Sequence, residues 1–241
     1  MRLDRLLANS GCGSRNDVRS VIKKGRVAVN GTVVTDPSAH VSESDELTVD
    51  GAPLKTATSL YYIFDKPDGV LTAMEDKRLP TINDFIPANL KNLKLSPVGR
   101  LDYHTTGLLI ITNDGKLSHR LTSPKYEIPK VYRVIFEGAP VTEDIIRECE
   151  EGVTLTDTDT PVKLRPCRMT PVNDNTCEIT LYEGKTHEVR RLMAHFERSV
   201  IELRRISIGD IKLPDDSKPG DLTRLSDEDT AKLLRATGLK E

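Results

Sequence analysis

The chain has 241 residues, of which 37% are hydrophobic and 30% are charged, and its formal net charge is −2. This length allows one medium domain and a smaller one, at about 150 residues per domain. No apolar run approaches the roughly 18 residues that span a bilayer, and the first residues lack the apolar core of a secretory signal. The four cysteines form no CxxC pair and the histidines lack metal-ligand spacing, which predicts neither disulfides nor a metal site. We therefore expect a cytoplasmic protein that binds neither a membrane nor a metal.

The first 50 residues predict a small module of two helices followed by short strands. Leu3, Leu6 and Leu7 form one helical face, and Ser14 is suited to cap a second helix that runs to Lys23. An Asn-Gly pair then signals a tight hairpin. Between residues 1 and 31, seven basic residues outnumber two acidic ones, although the chain as a whole is slightly acidic. The basic residues are Arg2, Arg5, Arg15, Arg19, Lys23, Lys24 and Arg26.

A basic helix face beside a tight hairpin is typical of phosphate-backbone binding, but on charge alone a solvated basic face explains it equally well. The order LDRLLA, then SR before a helix, then G-x-V-x-VNG resembles the alpha-L RNA-binding motif of S4-like modules. This resemblance implies that the seven basic residues bind RNA.

A segment rich in Ala, Pro, Lys, Thr and Ser, residues 51–59, predicts a linker. We therefore expect two domains, residues 1–58 with the linker and residues 59–241. Helices and strands are both predicted along the second part. They include a strand at 60–64, helices at 116–122, 141–150 and 226–237, a mobile polar loop at 154–160, and a closing strand at 204–213. The fold class is α+β.

The stretch GRLDYHTTGLLIITNDG, residues 99–115, contains the strongest candidate site. Its apolar run predicts a fully buried strand, so Asp102 lies on the loop that enters a core strand. Arg100 stands two residues earlier. A loop carboxylate beside a cation suits a nucleophile or a general base, although a solvated Arg/Asp pair is the commoner arrangement.

Three further segments carry candidate residues. The turn DKPDGV includes Lys66, which can meet a phosphate, and the strand segment KVYRV places Lys130 and Tyr132 on one face. The segment EGKTHEVRRLM predicts a helix capped by Thr186, with Arg190 and Arg191 near its start. From spacing alone, a half-buried strand tyrosine and two surface arginines would be the ordinary interpretation.

Together these segments resemble the RsuA-like family of ribosomal RNA pseudouridine synthases. The resemblance implies a catalytic domain on a mainly antiparallel mixed sheet with flanking helices. In it, Asp102 is the catalytic carboxylate, Tyr132 contacts the target base and Arg190 pairs with Asp102. The implied substrate-binding residues are Arg100, Lys66, Lys130, Arg191 and Leu192. The chain departs from the family pattern with Lys185 for Arg, Glu188 for Gln, and His195-Phe196-Glu197 near the end of the third motif.

The implied activity is isomerisation of a flipped-out uridine in ribosomal RNA, or in an assembling ribosomal subunit, without a cofactor and by a monomer. The pattern D-x-x-T-T-G-L-L and the segment SPK look closer to the small-subunit enzymes than to the large-subunit ones. A large-subunit enzyme remains an alternative, as does a non-catalytic RNA-binding or ribosome-assembly protein. A third alternative is a hydrolase with paired carboxylates, for which Asp114 is the nearest second acid, roughly 20 Å away along an extended strand.

Overall fold

A computed structural model describes residues 2–10, 12–42, 45–54 and 59–239, and for Asn9 and Arg15 it describes the backbone only. The chain divides into two compact units. The smaller comprises residues 1–60 and 88–95, and the larger comprises residues 61–87 and 96–241. The sequence analysis placed residues 88–95 in the second domain, because sequence patterns divide a chain only into contiguous segments. Most of the predicted linker, residues 55–58, lies outside the described residues.

The smaller unit has two helices packed on short strands, as predicted. Its elements are α1 (Leu3–Asn9), α2 (Arg15–Lys23), β1 (Val27–Val29), β2 (Thr32–Val33), β3 (Leu47–Val49) and β4 (Ala52–Pro53), and the strands form an antiparallel sheet in the order β2-β1-β3-β4. Leu3 and Leu7 are buried with Val18 and Ile22 in one core cluster. Ser14 caps α2 in a capping box with Asp17, which confirms the predicted helix start.

The larger unit is built on one mixed sheet. Its strands are β5 (Tyr61–Lys66), β6 (Ser96–Pro97), β7 (Thr106–Thr112), β8 (Lys130–Glu137), β11 (Arg168–Asn173), β12 (Thr176–Leu181), β13 (Ser199–Ile208), β14 (Ile211–Lys212) and β15 (Leu222–Arg224), and a separate hairpin contains β9 (Thr154–Leu155) and β10 (Val162–Lys163). The main path runs β11-β12-β8-β13-β7-β5-β15. The β13–β7 pair is parallel and its neighbours in the path are antiparallel. This confirms the α+β class with a mainly antiparallel mixed sheet.

Helices pack against the two halves of this sheet. They are α3 (Gly115–Thr122), α4 (Glu143–Glu151), α5 (Glu188–His195) and α6 (Asp227–Ala236). One core cluster packs α4 and α5 against β8 and β11 to β13, and a second packs α3 and α6 against β5 and β7. The residues Leu108 to Ile111 of β7 are completely buried, as the unbroken apolar run predicts. Within the described residues, no helix is long and apolar enough to cross a bilayer.

Several local predictions differ from the structure. Residues 154–160, predicted as a mobile loop, belong to the β9–β10 hairpin. Asp157 within this segment accepts two hydrogen bonds from Arg191, at 2.6 and 2.7 Å. The helix at 188 begins after His187, which takes a left-handed conformation with φ +52°, so Thr186 does not cap it. The strand expected at 204–213 is two strands joined by a turn at Gly209. Only the first of these differences involves a contact distant in sequence, the one between Arg191 and Asp157.

Candidate active site

The loop that carries Asp102 is fixed to the segment that follows β5. Lys66 is completely buried, and its ammonium donates hydrogen bonds to the carbonyls of Tyr103 (3.1 Å), Thr105 (2.9 Å) and Pro67 (3.1 Å). The Thr72 hydroxyl donates to the carbonyl of Leu101 at 2.7 Å. Burial lowers the pKa of Lys66 to about 8, against the opposing charges of Asp68 and Asp102. Substrate binding by Lys66 stays a prediction; in this structure two of its hydrogen bonds go to the Asp102 loop and the third goes to the adjacent Pro67 carbonyl.

Asp102 and Tyr132 line one cavity of about 530 Å³. The Asp102 side chain is 42% exposed, and the cavity wall includes the apolar residues Leu181, Val189 and Leu203. Arg100, predicted to bind substrate, lines the same cavity. A partly apolar hollow of this size, with a few polar groups and an accessible carboxylate, has the features of a small-molecule or nucleotide site.

Tyr132 is held by Arg205, which sequence reasoning did not single out. The β8–β13 register places the two residues opposite each other. Arg205 is 3% exposed; it donates to the Leu108 carbonyl at 2.8 Å and to the Tyr132 hydroxyl at 3.4 Å. Its guanidinium carbon lies 5.9 Å from the centre of the tyrosine ring. A buried arginine in a predicted strand is unusual enough to serve as a signal, but its partner depends on strand register.

The predicted ion pair between Arg190 and Asp102 is not formed among the described residues. Arg190 donates instead to the carbonyls of His104 (3.0 Å) and Val200 (3.3 Å), which joins the Asp102 loop to β13. Among the described residues, the ionisable side chain recorded beside Asp102 is that of His187, whose Nε2 is 3.7 Å from Oδ1. His187 reaches this position because its left-handed backbone turns the chain just before α5. No pattern in the sequence singles out this histidine as a partner of Asp102.

Three further predicted substrate-binding residues line neither the 530 Å³ cavity nor the second, adjoining cavity that is described below. Arg191 is 19% exposed and pairs with Asp157. Leu192 is completely buried in the core, and its neighbour Val189 lines the cavity instead. Lys130 is half-buried and donates to the carbonyl of residue 128 at 3.2 Å, and burial, followed by the charge of Arg205, lowers its pKa to about 8. The spacing rules do not distinguish a helix position that faces the core from one that faces the adjoining cavity.

Glu188 and Thr105 contribute buried polar atoms to the cavity wall. Glu188 is 4% exposed and accepts a hydrogen bond from the Lys185 backbone N–H at 2.8 Å. Burial is the main cause that raises its pKa to about 7, and the charge of Glu183 adds to this. Thr105 is 2% exposed, and its backbone N–H donates to the Asp102 carbonyl at 3.0 Å. Sequence reasoning noted Glu188 only as a departure from the family pattern.

A second cavity, of about 720 Å³, adjoins the same carboxylate. Asp102 and His187 belong to both cavities, and the second is also lined by Asp68, His104 and Arg190. The exposed ion pair between His104 and Asp68, at 3.0 Å, stands at this second cavity. Asp102 is therefore shared by the walls of two cavities, and each cavity has room for a chemical group of a substrate.

The basic residues of the smaller unit fall into two groups. Arg5, Lys23 and Lys24 are exposed, whereas the Arg15 side chain lies outside the described residues. Three others are exposed but paired with carboxylates: Arg2 and Arg19 with Asp4, and Arg26 with Asp50. The hydrogen bond from Arg2 is the main cause that lowers the pKa of Asp4. Carboxylates therefore partly neutralise three of the seven basic side chains locally.

The arrangement supports covalent or electrostatic catalysis by a carboxylate. Within the described residues, no group of three or more His, Cys, Asp or Glu side chains is placed to hold a metal ion. Asp114, the second acid of the hydrolase alternative, caps α3 through the N–H groups of Lys116 and Leu117 and accepts from the Tyr61 hydroxyl. A paired-carboxylate hydrolase that uses Asp114 is therefore disfavoured.

Comparison with known proteins identifies the family of the chain. Residues 60–195 match the family model of RNA pseudouridylate synthases, and residues 1–47 match that of the S4 domain. The chain is 37% identical over 232 residues to ribosomal small subunit pseudouridine synthase A of Pasteurella multocida, which covers 96% of this chain and 98% of that protein. It is 36% identical over 209 residues to ribosomal large subunit pseudouridine synthase B of Bacillus subtilis, which covers 85% and 84%.

A solved structure, described as the crystal structure of a pseudouridylate synthase, has a TM-score of 0.68 and 32% sequence identity. The aligned region covers 97% of this chain and 99% of the chain in that structure. The agreement therefore extends over both units and includes the segments that carry Asp102, Tyr132 and Arg190. The chain belongs to the RsuA-like family of RNA pseudouridylate synthases with an S4 domain, and it is an RNA pseudouridine synthase.

Proposed function

We propose that this enzyme isomerises a uridine of small-subunit ribosomal RNA, with Asp102 as the catalytic carboxylate. The observation that carries the proposal is that Asp102 and Tyr132 line one cavity, whose wall combines the apolar side chains of residues 101, 181, 189 and 203 with polar ones. A uridine flipped out of its stack needs such a hollow to hold its base, because unstacking costs a few kcal/mol. The Tyr132 ring contacts the base, and a base–aromatic stack is worth about 1 to 3 kcal/mol.

Asp102 acts on the sugar carbon that carries the base. The bond from C1′ to N1 breaks, the base turns, and a bond from C1′ to C5 forms while the C5 proton leaves and N1 gains one. A carboxylate serves as the nucleophile or stabilises the electron-poor carbon while it stays ionised. The His187 Nε2 lies 3.7 Å from Asp102 Oδ1, on the same cavity wall. Arg190 and Lys66 hold the loop in place through its carbonyls.

Ribosomal RNA is proposed as the substrate because of the S4 match and the names of the relatives. The small-subunit synthase of Pasteurella multocida aligns with nearly the whole chain, and the large-subunit synthase of Bacillus subtilis aligns with less of it. Arg100 lines the cavity beside Asp102, where it can meet a substrate phosphate. The exposed basic residues Arg5, Lys23 and Lys24 contribute to RNA binding by the smaller unit.

Tritium release tests the proposal, because the hydrogen on C5 of uridine is lost to water during isomerisation. Transcripts of small- and large-subunit ribosomal RNA carrying tritium on C5 of uridine are incubated with wild type, Asp102→Asn and the control Asp174→Asn. Asp174 is exposed in the β11–β12 turn. We expect release from the small-subunit transcript with wild type and control, and none above background with Asp102→Asn, whose RNA affinity stays within about threefold because the fold is kept. Turnover by Asp102→Asn would contradict the catalytic assignment, and release only from the large-subunit transcript would contradict the substrate.

A further inference from the structure

Two buried polar atoms on the wall of the 530 Å³ cavity lack a hydrogen-bond partner in the described part of the chain. They are Oγ1 of Thr105 and Oε1 of Glu188. The rest of each residue is well bonded, since Lys66 donates to the Thr105 carbonyl and Glu188 Oε2 accepts from Lys185. A buried polar group without a partner is costly, and such groups call for a ligand or another explanation.

The other two buried polar atoms without a partner do not indicate a ligand in this cavity. Asp65 Oδ1 and Arg205 Nη2 are also unpartnered among the described residues, but neither residue lines the cavity. The charge of Glu183 and a side-chain hydrogen bond to it also raise the pKa of Glu188; when Glu188 is ionised, both carboxylates are acceptors and this bond is lost, while the Glu183 oxygens accept from the Arg165 N–H and the Lys185 ammonium. Thr105 and Glu188 are therefore the candidates for contact with a bound group.

The chemistry of uracil supplies a partner for both atoms. Its N3–H donor is flanked by two carbonyl oxygens, and a half-turn about the axis through N3 and C6 exchanges N1 with C5 and O2 with O4. The N3–H keeps its place in this turn, and each carbonyl position is filled again by the other oxygen. An acceptor for N3–H and a donor to one flanking oxygen therefore fit the base before and after it turns.

We propose that Glu188 accepts a hydrogen bond from N3–H and that the Thr105 hydroxyl donates to a neighbouring carbonyl oxygen, so that the two retain the detached uracil while it rotates. This inference rests on the proposed function. It assigns to Thr105 and Glu188 the base-orienting role, beside the stacking role of Tyr132 and the catalytic role of Asp102. The C1′–N1 bond electrons leave with the base, and re-addition through C5, with loss of the C5 proton and gain of one proton at N1, restores the original formula.

Thr105→Val is the sharpest test, because valine keeps the shape and removes a hydroxyl that has no partner among the described residues. A purely structural role predicts no loss of stability or activity for this change. We expect unchanged thermal unfolding, an unchanged KM for the RNA, and a kcat for pseudouridine formation about tenfold lower. With transcripts carrying radiocarbon in the uracil ring, we also expect free uracil to appear, since the detached base is held less well. Thr170→Val, on an exposed position of β11, is the matched control.

Glu188 is tested by two substitutions of similar size. Glu188→Gln keeps one acceptor oxygen and places an amide NH2 donor at the other position, so it can serve either the Lys185 N–H or N3–H but not both, and we expect its kcat to lie between those of wild type and Glu188→Leu. Glu188→Leu removes both, and we expect a loss of at least about tenfold together with free uracil. Wild-type rates without free uracil in both Thr105→Val and Glu188→Leu would overturn the inference. If the wild type released no tritium from either RNA, the proposed function itself would fail, and the inference with it.

Discussion

Replacing Lys66 by methionine removes the buried ammonium that holds the Asp102 loop, while a side chain of similar length remains. Lys66 is completely buried and makes three hydrogen bonds to backbone carbonyls. A hydrogen bond from a charged donor contributes about 1.5 to 3 kcal/mol, so the three together contribute about 5 to 9 kcal/mol. The fall in the pKa of Lys66 from 10.5 to about 8 corresponds to a free-energy cost of about 3 kcal/mol for keeping the buried ammonium charged. The expected net loss in Lys66→Met is about 2 to 5 kcal/mol.

Urea unfolding and tritium release measure the two consequences of this substitution. We expect a lower unfolding free energy and a kcat reduced by about 10- to 100-fold, with little change in KM, because the carboxylate is displaced rather than removed. The folded-state pKa lies below the unfolded one, so the unfolded chain binds more protons between pH 8 and 10.5. The stability gap between wild type and Lys66→Met should therefore widen as the pH rises through this window.

Lys77→Met is the control, because Lys77 is exposed on a loop of the same unit and its replacement should change stability by less than about 0.5 kcal/mol. If Lys66→Met were as stable and as active as Lys77→Met, the three hydrogen bonds would have no role in positioning Asp102, and the reasoning would be refuted.

Two other sites test packing and ionisation. A Cβ on Gly107 would lie 2.3 Å from the Arg205 carbonyl at a residue with φ +95°, so Gly107→Ala should lose about 3 kcal/mol or more in thermal unfolding. In contrast, Gly115→Ala meets open space and should be neutral or up to about 1 kcal/mol stabilising, so equal melting temperatures for the two variants would contradict the close approach of β7 and β13. Glu188 has a raised pKa of about 7, so the folded state binds more protons than the unfolded state between pH 4.5 and 7 and loses stability as the pH rises. Glu188→Gln should therefore gain stability relative to wild type across this window, by up to about 3 kcal/mol at pH 8, and parallel pH profiles in urea unfolding would contradict the assignment.

The sequence was informative wherever a structure depends on residues close together in the chain. The unbroken apolar run of β7 predicts a strand buried on both faces, because no alternating polar side chain is left for solvent. The Ser14 cap needs only residues within one turn, and it is present as predicted. The position of Asp102 at the entrance of β7 follows from the same local pattern. The family resemblance extended these local observations to an activity, which the comparisons support.

The partners of the charged side chains depended on the tertiary structure. Whether Lys66 meets a phosphate or three carbonyls is decided by a loop some forty residues later in the chain. Arg190 joins two backbone segments instead of pairing with Asp102, and His187 approaches Asp102 instead because of a left-handed residue that no local pattern signals. Arg205 opposite Tyr132 is likewise a product of strand register.

The sequence by itself therefore indicated the two-part organisation and the position of the candidate carboxylate through short-range patterning, and it indicated the class of sheet through the family resemblance that its local motifs carry. Only the tertiary structure decided which cations hold the Asp102 loop and which polar atoms of the described residues stay unpartnered on the cavity wall. The physical reason is that a charged or hydroxyl group satisfies its hydrogen bonds with whatever the fold brings near it, and at this site those groups come from β5, β7, β13 and α5.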